Sequence, residues 1–236
     1  MRVLIMAAGV GSRISRHLQG QPKCCVKIKD TPLIRYTVEL LNKKGIKDIA
    51  IVTGYAQDFI IDALKGLEYK HYFNPFFDVT NSIASTWFAK DFLQNSDDYI
   101  IMNGDVFIEE NILDTLLENS KSPLFLADST RVEDADYRFN YKDNKLVKYG
   151  KDISVEKTTG EYVGIAKIKK EDIDFMKQKL EELISFQKHG YWWEDIFYRN
   201  IEKKDVYIKD IKGYFWAEVD YIEDYERIKK YLERGV

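Results

Sequence analysis

The first apolar run of the chain, Arg2 to Met6, is β-branched and too short for a helix, which predicts a strand buried on both faces. Leu33, Ile34, Tyr36, Thr37, Leu40 and Leu41 then recur at helical spacing. Thr31 offers a capping hydroxyl, Pro32 suits the first helical position, and Gly45 closes the helix. Ile49 to Val52 predicts a second buried strand, and Gln57 to Lys65 a short helix with Phe59, Ile60 and Leu64 inward. Tyr69 to Phe73, Tyr99 to Met102 and Leu124 to Ala127 supply three more strands, with helices over Asn81 to Leu93 and Glu110 to Glu118 between them. Strands alternating with helices predict a Rossmann-like α/β fold: a mostly parallel sheet with helices on both faces and ligands at the carboxyl ends of its strands.

The pattern changes after Ser129. Residues Tyr137 to Tyr149 alternate around Lys142-Asp143-Asn144-Lys145, a hairpin turn signal. Further strands are expected over Glu161 to Ile168 and Val206 to Ile211. Helices are expected over Glu171 to Phe186, Trp192 to Asn200 and Tyr221 to Leu232, the first carrying Ile173, Met176, Leu180, Leu183 and Ile184 on one stripe. No linker, repeat or low-complexity stretch divides the 236 residues. The expectation is one domain over 1–236, with a core at 1–128 and a small β/α elaboration at 129–236 that binds a second ligand.

Composition narrows the classes of function. A chain that is 45% hydrophobic and 32% charged suits a globular protein with a substantial core. No apolar run approaches the length of a membrane span and no signal peptide opens the chain, so a cytoplasmic location without membrane attachment is expected. A net charge of −3 with no basic cluster argues against a nucleic-acid partner. Cys24 and Cys25 are adjacent and lack metal-ligand spacing, so both are expected reduced. His17, His71 and His189 form no hydrolase or zinc pattern.

The richest chemistry lies at the start. After the first strand come Ala7-Ala8-Gly9-Val10-Gly11-Ser12, small residues that let the backbone approach a ligand and turn successive N–H groups into an anion nest. Arg13 and Lys23 add two cations beside it, the complement of a nucleoside triphosphate. A dinucleotide-binding turn would need a third glycine at position 14, where Ile14 stands, and the P-loop pattern is absent. Asn103-Gly104-Asp105 places a carboxylate just past a strand, at the ligand end of a parallel sheet. In Glu218-Val219-Asp220, an extended backbone puts both carboxylates on one face, and the alternative is that Asp220 caps the helix from Tyr221. Asn81 and Ser85 open another helix, either as a cap or as hydrogen-bonding groups for a base or ribose.

The run Ala7 to Arg13 followed by Pro22-Lys23 resembles the signature of bacterial sugar-phosphate nucleotidyltransferases. Asn81 and Ser85, Tyr191-Trp192-Trp193-Glu194-Asp195, and the segments to Asp224-Tyr225 extend the resemblance toward the phosphocholine cytidylyltransferases of that family. The resemblance implies condensation of CTP with a small phosphorylated or phosphonate acceptor, release of pyrophosphate, and a role in decorating surface polysaccharide or lipid. It implies Arg13 and Lys23 as catalytic cations, and nucleotide binding by Ala7, Ala8, Gly9, Gly11, Ser12, Asn81, Ser85 and Gly104. It implies Mg²⁺ held by Asp105 and Asp220 with Glu218 in support. The acceptor is assigned to Tyr137, Trp192, Trp193 and Glu194, aromatic and acidic groups able to box an ammonium. The chain departs from the choline enzymes there: Tyr137 stands for a tryptophan, Trp192 for a tyrosine, and Arg138 follows. A different head group, such as an aminoalkyl phosphonate or another phosphorylated amine or amide, is therefore open. The rivals are a sugar-1-phosphate transferase using UTP or dTTP, and a silent nucleotide-binding regulatory module. Homodimer formation is left open.

Overall fold

The structure is a computed structural model that describes residues 1–11, 13, 14 and 18–234. The strands are β1 (Arg2–Ala7), β2 (Lys27–Ile28), β3 (Thr31–Pro32), β4 (Ile49–Thr53), β5 (Lys70–Phe73), β6 (Tyr99–Asn103), β7 (Val106–Ile108), β8 (Leu124–Asp128), β9 (Arg138–Lys142), β10 (Lys145–Gly150), β11 (Gly160–Ile168), β12 (Tyr207–Asp210) and β13 (Trp216–Glu218). The helices are α1 (Leu33–Lys43), α2 (Gln57–Ala63), α3 (Ser82–Phe88), α4 (Glu110–Glu118), α5 (Lys170–Ser185), α6 (Asp195–Tyr198) and α7 (Ile222–Glu233).

One nine-stranded sheet, ordered β5-β4-β1-β6-β11-β8-β12-β10-β9, organises the chain. Its first four strands pair in parallel, as the alternation of strand and helix requires. From β6 onward the pairing turns mixed: β11 runs antiparallel to both β6 and β8, and β9 and β10 form the expected hairpin through Asp143 and Asn144, both with positive φ. The parallel pairing expected of most of the sheet is continuous from β5 to β6 and returns between β8 and β12. Reversing β11 brings its first residues to the edge where β1 and β6 end.

Alternation along β1 explains the two cores. Val3 and Ile5 pack on one face with Ile34, Val38 and Leu41 of α1. Leu4 and Met6 pack on the other with Ile83 of α3 and Ile173, Met176 and Leu180 of α5. All four β1 residues are buried, as a strand covered on both faces must be. A third cluster joins Leu33, Phe107 and Val219 to Ile228 of α7. None of the described helices is long and apolar enough to cross a membrane.

Local differences from the sequence expectation have identifiable causes. Thr31 and Pro32 pair with Ile28 and Lys27, which moves Pro32 from the first helical position to the cap position before Leu33 and leaves α1 without a side-chain cap. Phe59 is largely exposed, while Ile60 and Leu64 take the inward stripe of α2. The helix expected over Asn81 to Leu93 ends at Phe88 and continues as a tighter turn, and that over Trp192 to Asn200 is one turn, α6.

Gly54, just past β4, is a contact the active loop depends on. A Cβ there would lie 2.6 Å from Phe77 Cβ and 2.7 Å from the Ala8 carbonyl oxygen. Both distances are below any real Cβ contact, and one partner is backbone. Gly54→Ala is expected to destabilise the fold by about 1–3 kcal/mol, the usual scale of overpacking. A urea midpoint equal to that of the parent protein would show that the Ala8 loop yields without cost.

Candidate active site

Ala7 ends β1, and the chain turns through Ala8, Gly9 and Gly11 along the rim of a cavity of about 380 Å³. Gly11 has φ +64°, and a Cβ on it would meet the Lys23 side-chain carbons at 3.1 Å. Its lack of a side chain lets Lys23 pass beneath the loop. Ser12 and His17 lie outside the described residues.

Lys23 ends between two carboxylates. Its ammonium pairs with Asp105 and lies 2.6 Å from Asp220 Oδ1, while Arg13 Nη1 donates to Asp220 Oδ2 at 2.8 Å. Asp105 sits in the turn from β6 to β7, and Glu218 ends β13. Antiparallel pairing of β13 with β7 sets Glu218 opposite Val106, and the Val219 N–H donates to the Asp105 carbonyl at 3.0 Å. One oxygen from each of Asp105, Glu218 and Asp220 lies within 4.8 Å of the other two. Asp220 is not a helix cap: Asp224 accepts from the Tyr221 N–H at 3.0 Å and from the Asp220 N–H at 3.3 Å, which frees the Asp220 carboxylate for the cations.

The electrostatics follow from this crowding. Burial and then the Asp105 charge push the Glu218 carboxyl well above the ordinary range, with Lys23 opposing them. Burial also works against ionised Asp220, but Lys23 and Arg13 outweigh it and hold that carboxyl below its ordinary value. Burial disfavours the Lys23 ammonium in turn, yet Asp105, Glu218 and Asp220 together raise its pKa. Three hard oxygen donors within reach of one point, one of them reluctant to ionise without a further cation, fit a divalent ion of the Mg²⁺ type.

The facing wall comes from α3. Asn81 Oδ1 accepts from the Ser82 N–H at 2.8 Å, so it serves as cap and also lines the cavity. Ser85, buried, accepts from Asn74 Nδ2 at 3.1 Å and lines the cavity beside it. Gly104 is not on the lining. Its N–H donates to the Met6 carbonyl at 2.8 Å, and a Cβ would stand 3.0 Å from that oxygen. The glycine serves the close approach of β6 to β1 rather than a ligand.

The far end of the cavity is aromatic. Tyr137 and Trp192 meet edge to face at 5.2 Å, and Tyr137 stacks on Tyr198 at 6.0 Å. Glu194 lines the same end. Burial above all, with the Asp195 charge adding to it, pushes its carboxyl up to about 8, although Tyr162 and Trp193 lean close enough to offset part of the shift. Trp193 corrects the sequence assignment: fully buried, it stacks on Phe125 at 5.7 Å and belongs to the core, not to the cavity. In the turn before α6, neighbouring residues face opposite ways, so only Trp192 of the pair reaches the lining.

The MobA-like NTP transferase domain description matches residues 3–136. The chain belongs to this family. The choline-phosphate cytidylyltransferase of Streptococcus pneumoniae is 25% identical over 99% of this chain and 99% of its own length. The CTP:phosphoglutamine cytidylyltransferase of Campylobacter jejuni is 27% identical over 96% of this chain and 98% of its own. A solved structure of the S. pneumoniae CTP:phosphocholine cytidylyltransferase shares the fold with a TM-score of 0.77 at 22% identity, over 98% of each chain.

This nucleotidyltransferase cavity also holds residues that the sequence pattern did not single out. Lys151, in the loop after β10, is 2.8 Å from Asp136 Oδ2, and Arg13 Nη1 reaches the same oxygen at 3.7 Å. Tyr162 and Tyr198 line the aromatic end. A hairpin signal locates β10 but not the side of the sheet its exit loop takes, and a tyrosine in a buried strand or helix reads as core. The reversal of β11, which carries Tyr162 to the site, is visible only in the pairing.

Glu194 gives a testable dependence on pH. Its carboxyl ionises near 4.5 in an unfolded chain and near 8 in the fold. The unfolded chain therefore loses the proton first as pH rises. Stability attributable to Glu194 falls between these two values and levels off above the higher one. Glu194→Gln, which cannot ionise, is expected to gain on the parent across that window, by on the order of a few kcal/mol above pH 8. Parallel unfolding curves for the two proteins between pH 5 and pH 9 would contradict a buried, protonated Glu194.

Proposed function

We propose that the protein is a cytidylyltransferase that joins CTP to a small phosphorylated or phosphonate acceptor and releases pyrophosphate. The observation that carries this is the meeting of Lys23, Arg13 and three carboxylates at the mouth of the Gly9–Gly11 loop. Relatives named for CTP chemistry, aligned along nearly the whole chain, support the choice of nucleotide. Residues 1–128 form the nucleotide-binding core in this assignment, and 129–236 the acceptor-binding elaboration.

The acceptor oxygen attacks the α-phosphorus in line. A new P–O bond forms as the bond to pyrophosphate breaks, and the electron pair leaves on pyrophosphate. A phosphate or phosphonate carries an ionised nucleophilic oxygen near neutral pH, so catalysis reduces to positioning and charge neutralisation without a general base. Backbone N–H groups of the Ala8 to Gly11 turn cradle the triphosphate, and Asn81 and Ser85 hold the base and ribose. Lys23 and Arg13 balance charge developing between the α-phosphate and the leaving group. Asp105, Asp220 and Glu218 would hold Mg²⁺, which when bound supplies further neutralisation of the triphosphate. Lys151 draws the acceptor's anionic end, displacing its present partner Asp136. Tyr137, Trp192 and Glu194 surround the rest of the acceptor.

The test is a panel of the four NTPs against phosphorylated amines, amides, phosphonates and sugar phosphates, read as pyrophosphate release. A preference for UTP or dTTP with a sugar phosphate would transfer the assignment to a sugar-1-phosphate transferase.

Lys23→Ala is expected to lower kcat by about two to three orders of magnitude, because the cation acts mainly in the transition state, and to lower the melting temperature as well, because Asp105 and Asp220 lose the ammonium they pair with. Asp105→Asn and Asp220→Asn should each raise the Mg²⁺ concentration needed for half-maximal rate. The double variant should lose less than the sum of the two in free energy, as groups sharing one ion do. Additive losses would separate them. Lys151→Met is expected to raise the acceptor KM by roughly tenfold or more, the scale of a lost charge-assisted hydrogen bond, while the KM for CTP moves little. Equal changes in both constants would assign Lys151 to the nucleotide instead.

A further inference from the structure

The aromatic end of the cavity holds hydrogen-bond donors without partners. Among the described residues, the buried side-chain polar atoms without a hydrogen-bond partner are the Tyr162 and Tyr198 hydroxyls and the Trp193 indole nitrogen. All three belong to one neighbourhood. Tyr162 is 8% and Tyr198 1% exposed, and both line the cavity. Glu194 is 5% exposed and lines the same end. The groups acting on its carboxyl are Asp195 on its own turn, Tyr162 from β11 and Trp193, and none is a cation. Tyr137, from the loop before β9, and Tyr198, from α6, feel the Glu194 charge in turn.

A buried O–H left unpaired carries an uncompensated desolvation cost, and native proteins rarely tolerate it without a partner arriving later. The protons of the Tyr162 and Tyr198 hydroxyls are unplaced, so the missing partner brings an acceptor. Glu194 borders the same end with no cation beside it and can take a donor in addition. A trimethylammonium group offers neither, and a primary ammonium offers donors alone. A carboxamide offers both on one flat group, able to lie against the Tyr137 and Trp192 rings.

We propose that this subsite takes the primary carboxamide end of a phosphorylated acceptor. Its carbonyl oxygen accepts from the Tyr162 and Tyr198 hydroxyls, and its NH₂ donates to Glu194. The assignment rests on the cytidylyltransferase reading for the anionic end of the same molecule.

The experiment compares glycolamide phosphate with phosphocholine and phosphoethanolamine on the full chain. Equilibrium binding is followed by tryptophan fluorescence without nucleotide, and turnover by pyrophosphate release with CTP and Mg²⁺. The expected order puts glycolamide phosphate first by roughly tenfold or more in Kd and in KM, one unpaired hydroxyl being of that size. Tyr162→Phe and Tyr198→Phe should each narrow the preference for the amide over phosphocholine by about the same factor. Their melting temperatures should stay level or rise, because each change removes an orphaned hydroxyl. Tighter binding of phosphocholine or phosphoethanolamine by the parent protein would overturn the proposal, as would an unchanged preference in both tyrosine variants. Failure of CTP to support turnover with any acceptor would instead count against the nucleotide assignment, and the order of the binding constants would still decide the head group.

Discussion

Three carboxylates aimed at one point repel one another, and the site exists because Lys23 stands among them. Asp105, near the middle of the sequence, meets Glu218 and Asp220, more than a hundred residues later, through the β7–β13 ladder. Backbone pairing alone would carry a heavy electrostatic penalty in so buried a place. The ammonium of Lys23 neutralises two of the three directly, and Arg13 covers the outer oxygen of Asp220. Glu218 is left as the group whose charge is least supported, so the cluster as built retains an appetite for positive charge. The same lysine thus holds the cluster together in the free protein.

The cavity divides into an ionic half and an aromatic half with different physical demands. The ionic half is open, strongly charged and internally paired, so its groups find partners in the free protein. The aromatic half holds two hydroxyls that the protein itself does not satisfy and a carboxyl that burial holds toward its neutral form. Natural proteins accept such local costs where a ligand repays them, which makes the imbalance a more specific marker of recognition than the rings, since rings also build cores. Trp193 illustrates the point: next in sequence to Trp192, it is ordinary core.

Much of the ionic half was legible in the sequence because its residues follow apolar strands, and a parallel strand announces where its carboxyl end lies. Ala7 to Gly11 after β1 and Asp105 after β6 are found this way, and Arg13 and Lys23 follow by proximity. Asp220 had two readings that local sequence could not separate, since a helix start accepts an aspartate for either purpose. The choice depended on Asp224 taking the capping role. Gly104 misled because a glycine beside a strand-end aspartate suggests a ligand, whereas it answers to the β1 backbone. Lys151, Asp136, Tyr162 and Tyr198 were not legible at all. Lys151, Asp136 and Tyr162 lie on or beside strands placed by antiparallel pairings in the second half of the sheet, and Tyr198 reaches the site from α6, long-range choices that no periodicity of two or 3.6 encodes.

The β7–β13 ladder has a consequence for the life of the chain before it is an enzyme. β1, β4 and β6 can pair as soon as they leave the ribosome, and the small-residue loop and Asp105 come with them. Glu218 and Asp220 are made more than a hundred residues later, which at about 5–20 residues per second is a delay on the order of ten seconds. Throughout that interval a nascent chain has the small-residue loop without the second arm of its carboxylate cluster. Catalytic competence is therefore a late event of synthesis, gained when the last strand zips onto β7.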